Sequence, residues 1–227
     1  MLVTPHFMWV TYFFFFVSCF CMLKTWQNFL PLLKDHPLVR ILGIKNNDKT
    51  FTDQDLSTIW FKHDRLYKHR TIHINYTSYN MRRLQDTLNP YSEHCDIMVL
   101  ANKEPGTLES HPYWYAHIIS IFHANIFHID PKSTSPGDTH TMDFLWVHWF
   151  GHDTEYHSGF KAHCLPHIGF FNKNEDHAFG FLDPNNIIRT THLMPAFSQG
   201  CSQELLGHSI AHNQKDEEEW LRYYVGM

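Results

Sequence analysis

No excess of charge of either sign marks this chain. Lysine and arginine number 18 against 23 aspartates and glutamates, a formal net charge of −5. The chain as a whole therefore attracts neither nucleic acid nor an anionic membrane, and any such contact must come from a local patch. A disulfide framework is missing too. Of five cysteines, Cys19 and Cys21 fall in an N-terminal apolar run, and Cys95, Cys164 and Cys201 are odd in number and far apart, which reads as reduced intracellular thiols. There are no internal repeats and no long low-complexity tract. Paired Cys-x-x-Cys and His-Glu-x-x-His spacings are absent. No strand-borne Asp, later Asp and helical Glu combine into a two-metal carboxylate set. The expectation is a binding or accessory part and not an enzyme, with no catalytic residue, no metal, no cofactor and no small-molecule substrate.

What is there is apolar. With 227 residues, 43% of them hydrophobic and 16% aromatic, the chain can build a real core as one large domain or two small ones. Residues 7–23 (FMWVTYFFFFVSCFCML) are uncharged, with only Thr11 and Ser18 clearly polar. About 17 residues just suffice for a thin bilayer. No Lys or Arg precedes the run and no Ala-x-Ala-like site follows it, which speaks against a cleaved signal. Lys24, Lys34, Arg40, Lys45 and Lys49 all follow, so an inserted segment would be an anchor with a cytoplasmic body. The alternative is that residues 1–29 are a spurious upstream extension of the reading frame.

Local patterns predict a mainly β (α+β) fold. Residues 30–110 form a smaller α+β part. Its first stretch, 24–50 with Pro31, Pro37 and Gly43, reads as a connector. Thr52 ahead of Asp53 and Asp55 caps a short helix. Residues 71–77 alternate, with Ile72, Ile74 and Tyr76 on one face and His73 and Asn75 on the other, as a strand with one wet face. Asn89-Pro90 marks a turn, and 95–101 a short buried strand. In residues 111–200 the runs 113–129 and 142–150 are aromatic and β-branched strands around a loop at 131–138. Shorter strands follow at 167–171, 178–182 and 187–194, with a turn at 183–186. Five strands at this spacing suggest a small closed β-barrel or sandwich. Residues 201–227 read as a helical, acidic tail ending in a strand that stops early.

Three candidate sites follow. Lys62, Arg65, Lys68, Arg70, Arg82 and Arg83 are opposed within residues 61–83 only by Asp64; with Tyr67, Tyr76 and Tyr79 interleaved they could meet phosphates and bases, or be a solvated strand face. Tyr113, Trp114, Tyr115, Trp146 and Trp149 could line an aromatic groove for a cation or peptide, or be barrel core. The twenty histidines raise a metal question, sharpest at His148, His152, Asp153, His157, His163, Cys164 and His167. Because His148 is in phase with Phe144, Trp146 and Phe150, ordinary core and polar histidines are the expectation. The sequon Asn75-Tyr76-Thr77 carries meaning only in a secretory lumen, where the orientation argument does not put it.

The segments HPYWYAHIISIFHANI, MDFLWVHWF, HIGFF, AFGFLDPNNIIRTTHLMPAF and YYVGM, with LPLLKDHPLVRILGIK, RLYKHRTIHINYTSYN, MRRLQDTLNP and HCDIMVL before them, resemble a region downstream of the DDE nuclease domain in basidiomycete transposases of the Plavaka and Kyakuja-Dileera-Zisupton type. The resemblance covers about residues 30–225. It implies a nuclear accessory region of a mobile-element protein, with element-end DNA or a chromatin or protein partner, and the nuclease upstream of this piece. Those proteins continue past YYVGM, which implies a fragment. The order 114–129, 144–150 and 181–194 is also similar to bromo-adjacent-homology-like chromatin modules. Where the transposase segments read YWYAR, LWVRW, RIGF and SIAR, this chain has His117, His148, His167 and His212, each a single G-to-A codon change. Ile118, Ser120, Asn80, Met81 and Ile97 depart in the same direction. The histidine excess is then in part a scar of cytosine deamination in a silenced, repeated element.

Overall fold

A computed structural model describes residues 3–6, 29–44, 51–77, 83–92, 95–101, 111–129, 139–158, 162–202 and 219–226. In chain order these carry β1 (Val3–His6), α1 (Phe29–Leu42), α2 (Asp53–Leu56), β2 (Ile59–Phe61), β3 (Tyr67–His69), β4 (Thr71–Thr77), β5 (Arg83–Leu88), β6 (Asp96–Leu100) and β7 (Tyr113–His128). Then come β8 (Thr139–His152), β9 (His167–Phe170), β10 (Phe179–Leu182), β11 (Ile187–Thr190), β12 (His192–Pro195), β13 (Cys201–Ser202), β14 (Glu219–Trp220) and β15 (Tyr223–Gly226). The fold is mainly β. The expected apolar run 7–23, the loop 131–138 and the helical stretch 203–210 lie outside the described residues. Among those described, no helix is long and apolar enough to cross a membrane.

The two long aromatic and β-branched runs become β7 and β8, an antiparallel pair in register from Tyr115 opposite Phe150 to Phe127 opposite Thr139. Strand side chains alternate between faces, so a uniform strand 113–128 would keep odd and even residues apart throughout. A bulge between Ile118 and Ser120 breaks that phase. Ala116 and Ile118 before it, and Ile121 after it, thus join Leu145 and Val147 on one face. The opposite face carries Tyr115, Phe122, Ala124 and Ile126 with Phe144, Trp146 and Phe150.

Shorter strands tile the outer edges of this pair. Along β7 lie β6, β3 and β2; along β8 lie β10 and β9. With β11 on β6, and β15 and β12 beyond β9, they form one ten-stranded sheet. Of the barrel and sandwich alternatives, the closed barrel does not form among the described residues. Barrel closure needs tilt and stagger to bring the first and last strands into one ladder, but here the path ends in β11 and β12. These two are neighbours in the chain with only Thr191 between them, and its N–H donates to the Asp96 carbonyl (2.9 Å), which extends the β11–β6 ladder by one bond before the chain passes on to β12.

Both faces are covered. On one, the three-stranded sheet β1–β4–β5 sets Ile72, Ile74 and Leu88 against Ile97, Ile118 and Leu145. This confirms the alternation read over residues 71–77. On the other lies α1, where the sequence suggested a connector. Pro31 falls in the first turn, where an N–H has no helical partner anyway. Pro37 costs an internal hydrogen bond, but the stripe Phe29, Leu33, Pro37 is buried at helical spacing. Phe29 meets Trp146 and Phe181 edge-on, each at 5.1 Å. Gly43, at φ 63°, ends the helix: its N–H reaches Arg40 O and that of Ile44 reaches Val39 O, the paired closure that favours glycine. The short α2 has the expected start, a capping box between Thr52 and Asp55.

Packing α1 on the sheet also half-buries His36 near Phe144 and Phe181, with its Nε2 buried and without a hydrogen-bond partner. Burial, then the nearby Arg40 guanidinium, push the imidazole down to about 3. The unfolded chain, near ~6.5, therefore takes up a proton that the fold refuses. Stability should fall, by on the order of a few kcal/mol from this group, as pH drops from ~6.5 towards the folded value. Denaturant titrations at neutral and mildly acid pH should show a smaller loss for His36→Leu than for the wild-type chain; equal losses would contradict this origin.

Candidate functional site

The basic residues sit where the chain turns back onto the outer edge of β7. Ile59 and Phe61 are buried as β2 leaves the core. Residues 62–64 then form a 3-10 turn, with His63 (φ 57°) and Asp64 (φ 50°) left-handed. The chain returns as β3, anchored by the buried Leu66 and His69. Anchoring these two leaves Lys62 and Arg70 exposed and Arg65 and Lys68 half-buried. Tyr67 stacks on His123 at 4.6 Å, and the Lys68 ammonium stands 5.3 Å from the Tyr91 ring centre. Among the described residues Lys62, Lys68 and Arg70 have no carboxylate partner. Arg82 and Tyr79 lie outside the described residues, and Arg83 begins β5 opposite Thr77. The Tyr76 hydroxyl donates to Asp86 (3.3 Å).

Beneath this edge His69 and His123 approach nitrogen to nitrogen at 2.5 Å. Burial, then the His69 charge, push His123 down to about 4. His123 is therefore neutral near neutral pH and adds no charge to the patch above it.

The five predicted groove aromatics do not share a face. Trp114 and Trp149 do, meeting at 6.4 Å with rings nearly perpendicular, and Phe171 stacks on Trp114. Tyr115 and Trp146 are core residues of the opposite face, each 1% exposed. Tyr113 lies near His111. Trp114, 40% exposed, makes this trio an accessible aromatic surface. Phe171 was missed because it follows β9 as an irregular residue, and only the bond from its N–H to Trp149 O (3.2 Å) brings it there.

The histidine-rich set is dispersed. His148 is sandwiched between Phe170 (4.6 Å) and Phe179 (4.4 Å), with Nε2 donating to Phe171 O at 2.8 Å, as its phase with Phe144 and Trp146 predicted. His152 uses Nε2 on Tyr113 O. His167 pairs through Nδ1 with Asp153 (3.0 Å), which Arg222 also approaches at 3.6 Å. Burial would raise the Asp153 carboxyl, but His167, the Glu155 N–H and Arg222 outweigh it and hold the group below its ordinary value. His157, His163 and Cys164 are exposed.

Donor atoms converge elsewhere. Asp96 lies directly opposite His117 in the β6–β7 ladder, and the preceding Cys95 is buried. His117 Nδ1 is 2.9 Å from Asp96 Oδ1 and 3.5 Å from Cys95 Sγ, and the three donor atoms lie within 4.8 Å of one another. Burial pushes the His117 imidazole down, but the bond and charge of Asp96, helped by Cys95, push it up by more, well above its ordinary value. No short spacing announces this group, since His117 is 22 residues from Cys95 and only strand pairing unites them.

No protein-family model, curated protein or solved structure matches the chain.

Gly169, in β9, lets the chain around Arg222 approach the sheet. A Cβ there would lie 2.6 Å from the Leu221 carbonyl oxygen and collide with the Arg222 guanidinium. Gly169→Ala should cost about 1–3 kcal/mol and disturb the Arg222–Asp153 pair; an unchanged denaturation midpoint would show that this close approach is dispensable.

Proposed function

We propose that this chain is a non-catalytic accessory module that binds DNA through the edge carrying Lys62, Arg65, Lys68 and Arg70. The observation that carries the reading is the clustering of cations on one turn and strand, with Lys62, Lys68 and Arg70 lacking carboxylate partners among the described residues. Cations not committed to carboxylates can displace the counterions of a phosphate backbone. Tyr67 and Tyr91 border the same edge, where aromatic rings add contacts that tolerate any sequence. The exposed Trp114, with Trp149 and Phe171, offers a separate contact for a chromatin or protein partner.

The resemblance to fungal DDE transposases supports the same reading, with a nuclear location, element DNA as ligand and the nuclease supplied by an upstream part. His117 faces Asp96 and His167 faces Asp153, and these are two of the positions where the resembling proteins carry arginine. A carboxylate opposite each is the setting that an arginine would use. A second reading, a membrane-anchored protein with a cytoplasmic β domain, rests on the uncharged run 7–23.

Salt titrations of the full chain on duplex DNA test the first reading. Lys62→Ala and Arg70→Ala should each weaken binding across all sequences and lower the slope of log affinity against log salt by about 1. Unchanged slopes would remove this edge from the interface. Cell fractionation with and without residues 7–23, a deletion that keeps β1 and Phe29, separates the second reading, which requires membrane association that the deletion abolishes.

A further inference from the structure

Cys95, Asp96 and His117 offer one thiolate, one carboxylate and one imidazole at a single point. That mixed set suits a borderline-soft, tetrahedral divalent ion better than a hard one such as magnesium. We propose that these three side chains bind a zinc ion, with the fourth coordination position open to solvent.

The spacing supports this. Tetrahedral zinc with bonds of ~2.3 Å to sulfur and ~2.0 Å to nitrogen separates those two donors by about 3.5 Å; Cys95 Sγ and His117 Nδ1 are already 3.5 Å apart. Nitrogen and oxygen donors would stand about 3.4 Å apart, so the 2.9 Å contact between His117 and Asp96 need open by only about half an ångström. A single Nδ1–H lies between both acceptors; on binding the ion replaces that proton and the proton of the Cys95 thiol, and both are released to solvent.

The backbone under all three ligands is held in place. The Ile118 N–H donates to Cys95 O (2.8 Å) and the Thr191 N–H to Asp96 O (2.9 Å), and His117 is fixed opposite Asp96 by the ladder. Phe170 stands edge-on to the His117 ring at 6.0 Å. Cys95 is 6% exposed, whereas the His117 and Asp96 side chains keep 20% and 16%. The group therefore has a dry sulfur side and a wetter carboxylate side, from which an ion and a fourth ligand could enter. The bound ion would tie β6 to β7 beside Thr191, where the two end strands of the sheet meet. This goes beyond DNA binding, because none of the three ligands belongs to the cationic edge, and since the resembling proteins carry arginine at His117 the site is particular to this chain.

Cobalt titration of the full chain, followed by zinc competition, tests the assignment. With twenty histidines in the chain, bound metal alone proves little, so the readout is the thiolate-to-cobalt charge-transfer band. The band should appear at one equivalent, disappear as zinc displaces cobalt, persist when Cys19, Cys21, Cys164 and Cys201 are all changed to Ser, and vanish when Cys95→Ser is added to that variant. Asp96→Asn should weaken zinc affinity at least tenfold. Absence of the band in the wild-type chain, or its survival in Cys95→Ser, would overturn the proposal. Should Cys95→Ser fail to fold, alkylation of Cys95 in the wild-type chain gives the answer: zinc should slow it at least tenfold, and an unchanged rate would refute the site.

Discussion

The hydrogen-bonded ladder between β7 and β8, with its single bulge, is the constraint on which the rest of the structure depends. Antiparallel register assigns every side chain to a face, and a slip of one residue reverses the assignment. The bulge between Ile118 and Ser120 makes that reversal once, on purpose, in the middle of β7. It lets one strand give Ala116, Ile118 and Ile121 to the face packed by the small sheet. The same strand gives Phe122, Ala124 and Ile126 to the face packed by α1. Neither layer would find a continuous apolar surface without it. The strands on the outer edges are three to five residues long and depend on the central pair for their hydrogen-bond partners.

The candidate sites follow from the same ladder. β6 pairs with the N-terminal part of β7, which sets Asp96 against His117. β3 pairs with the middle of β7, which buries His69 and Leu66 and turns the intervening and flanking cations outward. The face assignment also decides which aromatics are core and which meet solvent. Trp146 is held between Phe29, Phe179 and Phe181, whereas Trp149, three residues on, faces the other way beside Trp114.

Much of the fold was legible where local physics dominates. The alternating run 71–77 is β4, the Thr52 cap starts α2, and the turn at 183–186 is closed by Asp183 accepting from the Asn185 N–H. The long strands were placed to within a few residues. The helix Phe29–Leu42 was hidden by two prolines, although Phe29, Leu33 and Pro37 keep helical spacing; burial against the sheet outweighs the local penalty. The bulge left no mark, because both neighbours of Ile119 are compatible with either face. The aromatic groove failed as a set because Tyr115 and Trp146 belong to the opposite face from Trp114 and Trp149. The Cys95–Asp96–His117 group was invisible for a different reason: its members meet only across strands, and its spacing resembles no short motif. The cationic run 62–70 was legible because a tight turn and a short strand keep sequence neighbours together in space.

Amide hydrogen exchange on the full chain tests the primacy of the central pair most directly. Amides in residues 115–122 and 144–150 should exchange last, at the rate of global unfolding, and those of β2, β12 and β15 earlier through local opening. Exchange in β7 and β8 as fast as in those outer strands would contradict the claim that this ladder organises the fold.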